Sequence, residues 1–263
     1  MAEVVEISGC GIRYADSGGP GPAVVFTHGA GLDSGMFDPQ VAALRDAGIR
    51  TVGWDMRGHG ASRPSAVGFT AERALSDLNA LIDHLGLQRP VLVGHSIGGN
   101  LAQAAVRADP DRYSALVVID STWNYGPLST WERALLRLAA PMLRTIPAGR
   151  LPRIMADASA TTPAARAYAA DAFTRIGKPE FLDVWRAAAT LVRPDPAYRT
   201  PLPLCLIRGA LDRTGNIAAA MPRWATAEQV TEHVIPAGGH LVTMDAPDAT
   251  TAVLLEFLAE VRR

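Results

Sequence analysis

The chain of 263 residues reads as an α/β fold, a mostly parallel sheet flanked by helices. Three observations predict it. Short apolar runs alternate with longer amphipathic segments. The runs are continuously hydrophobic and do not alternate, as expected of strands buried on both faces. A glycine-flanked serine, Gly94-His95-Ser96-Ile97-Gly98, stands where one such run passes into a helical pattern.

The central strands are expected over 23–27, 50–54, 91–94, 115–119 and 204–208, each rich in leucine or β-branched residues and closed by a polar or glycine turn. Ahead of them, Val4, Ile7, Ile12 and Tyr14 around Ser8-Gly9 predict an antiparallel hairpin at the sheet edge. The segment 70–85 places Leu75, Leu78, Ile82 and Leu85 on one helical face, with Gly86 as a stop. A second apolar stripe, Val253, Leu254, Phe257, Leu258 and Val261, predicts a C-terminal helix. Between 123 and 198 the pattern is helical throughout, rich in Ala and Arg, and far longer than an ordinary connection. It is expected to form a helical cap inserted into one core, so that 1–122 and 199–263 make the core and 123–198 the cap. No internal repeat or low-complexity tract is evident.

Composition narrows the function. Apolar residues make up 48% of the chain, enough for a sizeable core, and the formal net charge is −1. With no basic patch, nucleic acid and anionic membrane are not expected partners; a small, largely uncharged molecule is. The start, Met1-Ala2-Glu3-Val4, lacks the basic region of a secretory signal, and no run approaches 18 apolar residues, so a cytoplasmic location is expected. Cys10 and Cys205 are then expected to stay reduced, with Cys205 packed inside the run Leu204–Ile207. Nothing in the composition selects an oligomeric state.

The chemistry centres on Ser96. A serine at the tip of a sharp strand-to-helix turn needs small residues two positions either side, and Gly94 and Gly98 supply them. A helix starting at Ile97 also points free N–H groups at the place where negative charge develops. A serine hydroxyl needs a base. Of six histidines, His240, in the loop Ala237-Gly238-Gly239-His240 after the strand-like 230–235, lies where one is wanted. A carboxylate should orient the imidazole: Asp212 follows the strand 204–208, while Asp120 ends the strand 115–119 and competes for the role. The order Ser96, Asp212, His240 favours Asp212. Donors for an oxyanion are expected from the backbone N–H groups of Ala30, in the loop after strand 23–27, and Ile97. His28 is expected to support that loop, and no histidines are paired at metal-ligand spacing.

The stretches His28–Gly31, Asp55–Ser62, Gly94–Gly99, Gly209–Asp212 and Gly239-His240 together resemble the α/β-hydrolase superfamily in order and spacing, over nearly the whole chain. The resemblance implies an eight-stranded α/β-hydrolase fold, a structural role for the Asp55–Ser62 loop, and cofactor-free, metal-free acyl transfer through a covalent acyl-enzyme. Hydrolysis of carboxylic esters or lactones of small, largely apolar molecules is the expected activity. Serine at the elbow argues against the dehalogenases and epoxide hydrolases of this fold, which use a carboxylate nucleophile. Leu241 stands where carbon–carbon bond hydrolases often carry tryptophan, which lowers that reading. Perhydrolysis, acyl transfer to another acceptor, and slow-turnover ligand reception stay open as alternatives. Met36, Phe37, Trp123 and Trp131 are the candidates to line the substrate pocket between strand tips and cap.

Overall fold

The computed structural model describes residues 2–261. It opens with the antiparallel hairpin β1 (Ala2–Ile7) and β2 (Cys10–Asp16). Its two turn residues, Ser8 and Gly9, both have positive φ, 45° and 74°, which suits the right-handed twist of a tight hairpin. There follow β3 (Val24–Thr27), α1 (Asp38–Asp46), β4 (Thr51–Trp54), α2 (Ala71–His84), β5 (Val91–His95), α3 (Ile97–Ala108) and β6 (Ala115–Ile119). Four helices come next: α4 (Thr130–Thr145), α5 (Leu151–Ser159), α6 (Pro163–Ile176) and α7 (Lys178–Leu191). The chain then returns to the sheet with β7 (Leu204–Gly209), α8 (Ile217–Glu228), β8 (Glu232–Ile235), the short α9 (Val242–Asp245) and α10 (Pro247–Val261).

The eight strands form one sheet in the order β1-β2-β4-β3-β5-β6-β7-β8. All pairs from β4 to β8 are parallel, and β2 meets β4 antiparallel. The five central strands match the expected ones to within a residue at each end, because every residue but Arg208 of β7 is buried and the apolar runs are little interrupted. β3 lies between β4 and β5, so the connections leaving β3 and β5 run to opposite sides and open a crevice at the carboxyl ends of the strands. Among the described residues no helix is long and apolar enough to cross a membrane.

Helix α2 shows how local chemistry sets an element. Thr70 caps it, its hydroxyl accepting from Arg73 N at 3.2 Å, and Leu78 and Ile82 turn into the core. The same helix buries Asp77, which receives two hydrogen bonds of 2.6 Å from the guanidinium of Arg57. Both side chains are fully buried. This pair fastens the loop after β4 to α2. Asp55 fixes the other end of that loop, accepting from Ser34 N and Oγ on one oxygen and from Ala61 N on the other. His28 ties in the loop after β3: Nε2 accepts from Met56 N at 2.9 Å and Nδ1 donates to Gly29 O at 2.8 Å. The Asp55–Ser62 loop and His28 are thus scaffold, as expected.

Removing one member of a buried ion pair leaves a charge without a partner. Asp77→Ala is expected to lower unfolding free energy by about 3–5 kcal/mol, and an apolar double replacement, Arg57→Met with Asp77→Leu, to recover most of that loss. Chemical denaturation of the three proteins measures both; a single variant as stable as the parent would contradict the assignment.

Candidate active site

β5 ends at His95 and α3 begins at Ile97, so Ser96 alone makes the turn between them, at φ 52° and ψ −121°. A side chain in this region costs on the order of 1–3 kcal/mol, so the surroundings must hold it there. Ser96 N donates to Ile119 O at 3.0 Å, and Ser96 O accepts from Ser121 Oγ at 2.7 Å and Asn100 N at 3.1 Å. The flanking glycines are needed for contact. A Cβ on Gly94 would collide with the Gly98 carbonyl, and one on Gly98 with the carbonyls of Thr27 and His28. The N-terminus of α3 therefore lies directly against the end of β3. Ile97 is the first residue of α3, so its N–H has no partner within the helix, and Ala30 sits across the crevice on the β3 loop.

Asp212 and His240 arrive on two loops packed backbone to backbone. A Cβ on Gly209 would collide with the carbonyls of Gly238 and Gly239, and Leu211 N donates to Gly238 O at 2.8 Å. His240 Nδ1 donates to Asp212 Oδ2 at 3.0 Å, and Thr214 N donates to Asp212 Oδ1 at 2.7 Å. Burial by itself raises the Asp212 carboxyl, but the imidazole and the Thr214 N–H outweigh it and bring it down to about 2. With Nδ1 committed to the carboxylate, Nε2 of His240 is the nitrogen left to accept a proton. Ser96 and His240 line the same cavity. Among the described residues Ser96 Oγ makes no hydrogen bond; such bonds commonly tighten only when substrate is present.

Two groups that hold the backbone of the His240 loop are not singled out by the sequence. Buried His95 donates from Nε2 to His240 O at 2.7 Å, and burial keeps its own ring down at about 3, hence neutral. Asp245 accepts from Gly239 N, Thr161 N and Thr162 N, and Leu241 N donates to Ser159 O, so the His240 loop is bonded to the α5–α6 junction. Neither link has a local signature; both join residues about 80 or more positions apart.

Asp120 does not take the Asp212 role. It is fully buried at the end of β6 with φ 43°, and its Oδ1 accepts from Gly209 N at 2.8 Å. One side-chain atom each from Asp120, Asp212 and His240 nevertheless come within 4.8 Å of one another, the one such cluster of potential metal-binding groups among the described residues. The imidazole belongs to Asp212.

The cavity has two lobes that share Ala30, Ser96, Trp185 and Thr214. One, of about 430 Å³, holds His240 with Arg166 and Arg213 on its wall. The other, of about 400 Å³, holds Ile97 and is walled mainly by Leu128, Leu135, Leu136, Ala139 and Val192. The four expected lining residues line neither lobe. Met36 and Phe37 are core residues, Phe37 packing on Phe26 at 5.0 Å between ring centroids. Trp123 stacks parallel on Trp224 and is buried. Trp131 is 69% exposed, on the outward face of α4, whereas Leu135 and Leu136 further along the same helix reach the lobe. Large apolar side chains were legible; the face each one takes was not. A bigger cavity of about 690 Å³ lies apart, between the 57–69 loop and α6–α7, without the serine or the imidazole.

A family model described as "Alpha/beta hydrolase family" matches residues 24–253. The chain belongs to the alpha/beta hydrolase family. This hydrolase is 31% identical over 267 residues to "Haloalkane dehalogenase 2" of Mycobacterium tuberculosis, covering 93% of this chain and 90% of that one. It is 27% identical over 249 residues to "2-(acetamidomethylene)succinate hydrolase" of Mesorhizobium japonicum, covering 91% and 89%. Among solved structures it is similar to a thermophilic esterase from Thermogutta terrifontis, with TM-score 0.82 and 26% identity over 99% of this chain and 97% of that one. The enol-lactonase of Burkholderia xenovorans shares the fold, with TM-score 0.82 at 24% identity over 98% and 100%.

The positive φ at residue 96 gives a test of strain. Ser96→Gly is expected to be more stable than Ser96→Ala by about 1 kcal/mol, since glycine alone adopts this backbone without penalty. Equal melting of the two variants would mean that the hinge stores no strain.

Proposed function

We propose that this hydrolase cleaves carboxylic esters or lactones of small molecules through an acyl-enzyme on Ser96. The observation that carries the reading is a serine on a strained hinge sharing a cavity with an imidazole whose Nδ1 is bonded to an ionised carboxylate. In this scheme Nε2 of His240 takes the Ser96 proton as Oγ attacks the carbonyl carbon. It returns the proton to the leaving alcohol, then deprotonates the water that releases the acid. Asp212 stays ionised and stabilises the imidazolium. The N–H groups of Ala30 and Ile97 receive the oxyanion; each such donor contributes about 3–4 kcal/mol in the transition state. These steps are met by the chain's own residues.

Further support comes from the esterase likeness and from the apolar lobe, which suits a hydrocarbon acyl or alcohol portion. The lobe bearing Arg166 and Arg213 suits the more polar part of the same substrate. Displacement of halide or opening of an epoxide by this fold calls for a carboxylate at the elbow, so the serine weighs against carrying over the name of the dehalogenase relative. Carbon–carbon hydrolysis, perhydrolysis and acyl transfer would use the same three side chains. Free, buried Cys10 and Cys205 fit a reducing cytoplasmic setting, burial pushing the Cys205 thiol up to about 12.

Hydrolysis of a p-nitrophenyl ester series of increasing acyl length, with fluorophosphonate labelling, tests the proposal. Ser96→Ala is expected to lose labelling and to fall about 10⁶-fold in kcat, and Asp212→Asn to fall about 10⁴-fold with folding intact. Turnover surviving in Ser96→Ala, or full activity in Asp212→Asn, would defeat the scheme.

A further inference from the structure

Asp120 is a buried acid that the reaction scheme leaves without work. It directly follows β6, the strand between β5 and β7, at a left-handed φ of 43°, a conformation that the fold must hold in place. Its two oxygens are unequal. Oδ1 accepts from Gly209 N at 2.8 Å, whereas Oδ2 is enclosed and, among the described residues, receives no donor. An ionised carboxylate in that setting would bury an uncompensated charge, which costs several kcal/mol.

Of the described charged groups facing it, Arg208 alone favours that charge, and it ranks behind burial and Asp212, which oppose it. Asp212 lies within the same 4.8 Å cluster and is ionised, and His240 donates to Asp212. His95, on β5, is neutral and spends Nε2 on His240 O. Arg208, on β7, is engaged by Glu232, its Nε lying 2.6 Å from Oε1. Two carboxylates this close, with no free cation between them among the described residues, do not both ionise.

We propose that Asp120 is a neutral carboxylic acid whose Oδ2–H donates to the Asp212 carboxylate, making it a positioning residue for the catalytic acid. The row then runs Asp120, Asp212, His240 and carries one negative charge. Burial, and next to it the Asp212 charge, hold the Asp120 carboxyl well above the usual carboxylate range. The arrangement gives Asp212 three donors: the Asp120 hydroxyl, the Thr214 N–H and the His240 Nδ1–H. Asp212 is thereby fixed in the plane that the imidazole needs, while Gly209 N, on the strand that leads to Asp212, is tied to the same side chain. This assignment rests on the Ser96–His240–Asp212 reading above.

Asparagine can reproduce both hydrogen bonds of a neutral Asp120, through Oδ1 and Nδ2; alanine reproduces neither. Asp120→Asn is therefore expected to keep kcat/KM within about threefold of the parent, with the acid limb of its pH profile unmoved. Asp120→Ala is expected to lose kcat by about 10–100-fold with KM little changed, as when a group that orients a site residue is removed. An ionised Asp120 gives the opposite sign. Its neutralisation would make the base harder to protonate, and the acid limb of Asp120→Asn would move down by about one pH unit or more. That shift, or an alanine variant as fast as the parent, would overturn the proposal. An infrared difference spectrum, parent minus Asp120→Asn at pH 7, reads the same point without turnover. A protonated carboxyl carbonyl band assigned to the parent supports the proposal, and its absence refutes it. Failure of the acyl-enzyme reading itself would appear separately, as turnover surviving in Ser96→Ala.

Discussion

The contact between the start of α3 and the carbonyl end of β3 is what the rest of the site depends on. Gly98 has no side chain, so the helix backbone reaches the Thr27 and His28 carbonyls. With that approach the single residue between β5 and α3 takes positive φ, and Ser96, Ile97 and Ala30 come to line one cavity. Hinge strain and the free helix N-terminus thus have a common origin. The local backbone is disfavoured, and it is maintained by Ser96 N donating to Ile119 O of β6 and by Ser121 Oγ donating to Ser96 O.

A second backbone contact does the same for the other half of the constellation. Gly209 against Gly238 and Gly239 brings the loop after β7 onto the loop after β8. Asp212 and His240 then meet at 3.0 Å although 28 residues separate them. Each of the two contacts joins the carboxyl ends of strands, where a parallel sheet already gathers its loops. The sheet supplies the place and the glycines supply the clearance.

Much of this was legible in the amino-acid order, and the reasons differ by element. Strands β3 to β7 are buried on both faces, so their hydrophobicity is uninterrupted and their limits sharp. Ser96 and Asp212 each follow such a strand, His240 follows the partly exposed β8, and glycines beside each made their positions readable from local pattern. The pocket wall was not. Met36, Phe37, Trp123 and Trp131 are bulky and near the right segments, yet packing of helix on core decides which side chains face the cavity, and periodicity in Ala-rich helices marks that face poorly. His95 and Asp245 were equally hidden, because what they do is hold a loop far away in sequence. Asp120 was visible only as a rival to Asp212. Its separate environment, one oxygen satisfied and one enclosed, appears only in three dimensions.

The bonds from Asp245 to Thr161 and Thr162, and from Leu241 to Ser159, knit the histidine loop to helices that also wall the cavity. In the proposed scheme, the cavity wall and the proton-transferring loop consequently share one mechanical part. A displacement of the α5–α6 junction would pull on the loop that carries the imidazole. If His240 is the base, natural drift in that junction would retune the cavity's shape and the base's placement at once.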